Sequence, residues 1–102
     1  MSISTHVLDL TYGRPRVGLR VRLERGTADS WVAVAHGITD SDGRLRDWTP
    51  EHLVPGRYRL VFATGGEFFP EVPVVFQLTD PAGNLHIPLL LNEFGYTAYR
   101  GS

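Results

Sequence analysis

Every second residue between Val17 and Glu24 is apolar: Val17, Leu19, Val21 and Leu23 alternate with Arg20, Arg22 and Glu24. Side chains of an extended chain project to opposite faces in turn, so this spacing predicts a strand with one face on a core and the other in water. Tyr58, Leu60 and Phe62 alternate with Arg57 and Arg59 in the same way. Further strands are expected at Ser4 to Asp9, Trp31 to Thr39, Glu71 to Leu78, Leu85 to Leu91 and Thr97 to Arg100. Turn-forming residues separate these runs at Gly13-Arg14-Pro15, Asp40-Ser41-Asp42-Gly43, Pro55-Gly56, Gly65-Gly66 and Asp80-Pro81-Ala82-Gly83. The single helix signal is Thr49-Pro50-Glu51, a cap with proline at the first helical position, and Pro55 limits such a helix to Val54. Seven to eight short strands at this spacing predict an all-β sandwich.

The 102 residues suit one domain, residues 1–102, with no linker or repeat. A chain of this size has one modest core, which places any sizeable ligand site in a surface groove or at a subunit junction. The net charge of -1 argues against nucleic acid or an anionic membrane as the main partner, because both need a surplus of cations. The sequence contains no Cys, and all 10 of its basic residues are Arg. Thiolate nucleophiles, disulfides, cysteine zinc sites and Schiff-base lysines are thereby excluded, leaving His, carboxylates and hydroxyls to move protons. Two histidines with carboxylates could in principle hold zinc, yet there is no His-x-His, His-Glu-x-x-His or cysteine pair. The Met1 to Asp9 segment is unlike a targeting peptide, and the apolar run Ile87 to Leu91 is too short to cross a bilayer, so a cytoplasmic protein is expected.

Three stretches carry a resemblance. The first is Ser4-Thr-His-Val-Leu-Asp9 with Gly13-Arg-Pro15, and the second is Thr39-Asp-Ser-Asp-Gly-Arg44. The third runs from Leu85-His-Ile-Pro-Leu-Leu-Leu91 through Phe94-Gly-Tyr96 to Tyr99-Arg-Gly-Ser102. In this order they resemble the transthyretin-related 5-hydroxyisourate hydrolases, over nearly the whole chain. The resemblance implies a transthyretin-like (prealbumin-like) sandwich and a metal-free hydrolysis in which water activated by histidine opens the lactam ring of 5-hydroxyisourate. It also implies a homotetramer with sites at the dimer-dimer interface. One departure stands out: Phe62-Ala-Thr-Gly-Gly-Glu67 runs almost directly into Phe68-Phe-Pro-Glu71, so the short helix usual before that segment is expected to be reduced or absent.

Taken alone, His86 reads as a hydrogen-bonded packing residue, His6 as a strand residue facing solvent or a neighbouring chain, and Arg44 as a solvated loop charge. The resemblance implies a different use for them. His6 and His86 become a pair of neutral bases, suited by an ordinary pKa near ~6.5. Arg44 becomes a planar fork for the substrate's carbonyl and amide-anion oxygens. Tyr99, Arg100 and Gly101 become a wall, and Ser102 offers its hydroxyl and terminal carboxylate to substrate or water. A nucleophilic role for Ser102 is disfavoured by the lack of a Gly-x-Ser-x-Gly elbow. His36 and His52 match no site position, and Arg46, Arg57 and Arg59 read as exposed charges. The exposed apolar stretches Leu89 to Leu91 and Phe94 to Tyr99 are expected at subunit interfaces. Two rivals share the fold, a carrier of small aromatic ligands and an inert accessory module, and neither needs His6, Arg44, His86 and the tail together.

Overall fold

A computed structural model of the chain describes residues 2–80 and 83–102. Ten strands are present among them: β1 (Ser2–Asp9), β2 (Arg14–Pro15), β3 (Arg20–Gly26), β4 (Trp31–Ile38), β5 (Arg44–Leu45), β6 (Gly56–Phe62), β7 (Val72–Leu78), β8 (Asn84–His86), β9 (Leu89–Leu91) and β10 (Tyr96–Ala98). They form two sheets. One has the order β4-β3-β6-β7, and the other runs β10-β9-β1-β2 with β5 and β8 also paired to β1. The result is the expected all-β sandwich.

Alternation explains which faces meet. Val21 and Leu23 from β3 and Tyr58, Leu60 and Phe62 from β6 point inward and are buried. They pack against Ile3 and Val7 of β1 and against Leu85, Leu89 and Leu91 of the opposite sheet. Each of these side chains contributes about 1.5–3 kcal/mol by leaving water. Trp48 closes one margin of the core by donating its indole N–H to the Ile3 carbonyl at 2.7 Å.

The structure corrects several expectations. Val17 is 62% exposed, because Gly18 at φ +73° turns the chain before β3 begins. The run Leu85 to Leu91 is two strands, since Pro88 has no N–H to donate and the parallel ladder with β1 stops at His86 and resumes at Leu89. Leu89 and Leu91 belong to the core, and the exposed apolar residues of that region are Phe94, Tyr96 and Tyr99. The two-residue strands β2 and β5, which no periodicity can announce, raise the count above eight.

No helix forms at Pro50 to Val54, where Pro55 leaves too few residues for one turn to be worth nucleating. None replaces the shortened segment after β6 either. There Gly65 and Gly66 donate to the carbonyls of Pro70 and Phe69, and the Thr64 hydroxyl donates to Phe69, which folds the loop back on itself. The turn expected at Asp80 to Gly83 lies partly outside the described residues, at Pro81 and Ala82. Among the described residues, no helix is long and apolar enough to cross a membrane.

Candidate active site

Strand β1 is the axis of the site. Its Ile3, Thr5 and Val7 are buried, which turns Ser4 and His6 to the opposite, outer face. On one edge, β5 pairs antiparallel so that His6 stands opposite Arg44. On the other edge, β8 pairs parallel so that Ser4 stands opposite His86. Residues 80 positions apart in sequence thus share one outer face through the register of a single central strand.

Each side chain has a local support. The Asp40 carboxylate accepts the amides of Asp42 and Arg44, and these two bonds lower its pKa. Gly43 closes the turn at φ +75°, a left-handed conformation that glycine adopts without strain. Its carbonyl accepts from the Val7 amide, which delivers Arg44 onto β1. His6 Nε2 lies 2.9 Å from the Asp42 carbonyl. A carbonyl only accepts, so His6 carries its hydrogen on Nε2 and, when neutral, keeps its lone pair on Nδ1.

His86 is held from two sides. Its Nδ1 lies 2.8 Å from the Ser4 hydroxyl. Its carbonyl accepts the Gly101 amide at 2.7 Å, and this bond bridges the tail to β8. The tail passes so close that a Cβ on Gly101 would stand 2.7 Å from His86 Cδ2. Burial lowers the His86 pKa below its ordinary 6.5, the positive charges of Arg44 and His6 push the same way, and the backbone of Ser4 pulls it back in part. A ring so placed stays neutral, and hence basic, at neutral pH.

These residues border an open cleft of about 420 Å³, lined by Ser4, Thr5, Arg44, Arg46, Asn84, His86, Gly101 and Ser102. Of the positions singled out in the sequence, Arg44, His86, Gly101 and Ser102 therefore line one cleft, with His6 beside Arg44 at its border. Tyr99 and Arg100 do not join them in the single chain. They line a different groove with Val74, Val75 and Phe76 of β7. Arg46 and Asn84 are cleft residues that sequence reasoning passed over. The signal for Arg46 was present in period two, since it sits two places from Arg44 across the buried Leu45. Neither Asp nor Glu lines the cleft. Among the described residues, no three His, Cys, Asp or Glu side chains stand close enough to hold a metal ion.

Comparisons with known proteins give the chain's family. The family model of the HIUase/Transthyretin family matches residues 3–101. A 5-hydroxyisourate hydrolase of Mus musculus is 41% identical over 111 residues, covering 98% of this chain and 94% of that protein. One of Salmonella dublin is 39% identical over 109 residues, covering 98% and 80%. The solved structure of the Klebsiella pneumoniae 5-hydroxyisourate hydrolase superimposes with a TM-score of 0.83 at 30% identity, covering the whole of both chains. The chain belongs to the HIUase/transthyretin family.

Proposed function

We propose that this protein hydrolyses 5-hydroxyisourate, opening its six-membered lactam ring to give 2-oxo-4-hydroxy-4-carboxy-5-ureidoimidazoline. The observation that carries the reading is the register of β1, which sets His6 against Arg44 and Ser4 against His86 on one face, with the Gly101-Ser102 tail tied to His86 beside them. The hydrolase names of relatives near 40% identity over almost the full chain support the same substrate.

In the proposed reaction the neutral His86 ring takes a proton from water as the water oxygen attacks the lactam carbonyl carbon. The Arg44 guanidinium, with Arg46 next to it, stabilises the negative charge that develops on the carbonyl oxygen. Collapse of the tetrahedral intermediate breaks the C–N bond, and the proton held by His86 passes to the departing ring nitrogen. His6 orients the attacking water or a ring nitrogen, and the Ser102 hydroxyl hydrogen-bonds substrate or water. Preorganised cations suit this task because the substrate's oxygens gain charge in the transition state and bind them more strongly there than in the ground state.

The working form we propose is a homotetramer with sites at the dimer-dimer interface. The cleft is open on one side, Phe94 and Tyr99 are 71% and 51% exposed, and β10 and β7 end their sheets with unpaired edges. In that assembly Tyr99 and Arg100 belong to the wall of the site. The test is spectroscopic: 5-hydroxyisourate is generated from urate by urate oxidase and the decay of its ultraviolet band is followed with and without the protein. Acceleration that is lost in His86→Asn, with the oligomer retained, is the expected result. A decay rate that the protein leaves unchanged would refute the proposal.

A further inference from the structure

The reaction requires one particular nitrogen of His86 to be bare, and a neutral imidazole can satisfy that requirement in only one of its two tautomers. Nδ1 contacts the Ser4 hydroxyl at 2.8 Å. Nε2 has no hydrogen-bond partner among the described residues, while no buried side-chain nitrogen or oxygen there lacks one. The unpartnered Nε2 of this half-buried ring therefore reaches solvent, and the solvent on that face of β1 is the cleft.

A serine hydroxyl both donates and accepts, so the contact with Nδ1 admits two arrangements. If Ser4 donates, the ring hydrogen sits on Nε2 and the cleft faces an N–H that cannot take a proton. If Nδ1–H donates to Ser4, Nε2 is the lone-pair nitrogen and serves as the base.

A ring that serves the cleft as a base needs the second arrangement. Of the charged groups around the ring, His6 comes from β1, Arg44 and Arg46 come from β5 and the residue after it, and Ser102 brings the terminal carboxylate, while no carboxylate side chain lines the cleft. In the absence of an Asp or Glu, the Ser4 oxygen is the acceptor available to Nδ1–H. Anchoring is local as well: the Ser4 carbonyl accepts the Ile87 amide at 3.0 Å and the Thr5 hydroxyl donates to the Ile87 carbonyl, so β1 is tied to the residue that follows His86, next to the contact.

We propose that Ser4 is the positioning residue of the site: it accepts Nδ1–H of His86, fixes the ring's tautomer and orientation, and leaves Nε2 bare toward the cleft for the water. This rests on the hydrolase reading above but concerns a residue to which that reading gives no part in the reaction. A hydroxyl is suited to the role for an electrostatic reason. It holds the tautomer without a full negative charge, so the ring is not drawn into permanent protonation between two cations.

The experiment has a substrate-free arm and a kinetic arm. Long-range ¹⁵N–¹H correlation spectra of the uniformly labelled protein, recorded at a pH where the ring is neutral, identify the protonated nitrogen of His86; its signals are assigned by their loss in His86→Asn. Protonated Nδ1 and bare Nε2 are expected in the unaltered protein. Ser4→Ala should move hydrogen onto Nε2 and lower kcat about tenfold, equivalent to about 1.4 kcal/mol, with KM little changed. Ser4→Thr, which keeps a hydroxyl and suits a strand, should restore both tautomer and rate. A bare Nδ1 in the unaltered protein, or Ser4→Ala that leaves tautomer and kcat alike unchanged, would overturn the assignment. The stated tautomer in a protein that does not accelerate the decay of 5-hydroxyisourate would uphold the role of Ser4 and overturn the hydrolase reading instead.

Discussion

Replacing Gly101 by Ala tests the contact between the tail and His86 with a single methyl group. The added Cβ would lie 2.7 Å from His86 Cδ2, which is 0.7 Å inside the 3.4 Å where ordinary contact begins, and 3.4 Å from both Cγ and the carbonyl oxygen. Two adjustments are open. The ring can turn away, which breaks its contact with Ser4, or the tail can lift, which gives up the 2.7 Å bond from the Gly101 amide to His86. Either costs about 1 kcal/mol of stability, a shift in Tm of about 5 °C or less for a chain of this size. The catalytic cost is larger, because displacing a reacting group by about 1 Å costs roughly 100-fold in rate. The assay is decay of the 5-hydroxyisourate band at saturating substrate, alongside a thermal melt. Gly95→Ala is the matched control, since nothing lies within 4 Å of a Cβ there, and its rate should equal that of the unaltered protein. Gly101→Ala with full activity and an unchanged melt would show that the tail does not pack on His86, and the argument for a tail-bordered site would go with it.

Four further outcomes follow from the same geometry. A base with its pKa held below 6.5 loses activity only when the pH falls through that lowered value, so the acid limb of kcat/KM should lie below 6.5. Arg44→Gln, which removes one of the charges depressing it, should move that limb to higher pH as well as lowering the rate; a limb that stays in place would disprove the coupling. Gly43→Ala combines a φ of +75° with a Cβ only 2.6 Å from the Val7 carbonyl, so it should cost at least about 2 kcal/mol in urea unfolding and weaken activity through Arg44. Leu60→Ala removes a fully buried side chain from between the sheets and should cost about 2–5 kcal/mol, with the rate per folded molecule retained.

The sequence already contained the sandwich, because alternation is a local property. Val21 and Leu23, or Tyr58, Leu60 and Phe62, must turn the same way in any extended chain, and burying such faces against one another leaves few arrangements other than two packed sheets. The turn from Asp40 to Gly43 was equally legible, since side-chain capping by aspartate and the left-handed freedom of glycine act within four residues. The identities of His6, Arg44, His86 and the tail came from the resemblance of three motifs to a known family, and periodicity alone would have left both histidines as strand residues.

Register was beyond the reach of either. Whether His6 meets Arg44, and Ser4 meets His86, depends on how β5 and β8 dock on opposite edges of β1, and those pairings join residues about 40 and 80 positions apart in the chain. A slip of one residue in β5 or β8 would turn Arg44 or His86 toward the core face. Tertiary structure also decided the break at Pro88, the exposure of Val17, the place of Arg46 in the cleft, and the separation of Tyr99 and Arg100 from Gly101 and Ser102 within one chain. Local sequence determined which residues face the same way along a strand, whereas hydrogen bonding between distant strands determined which of them meet.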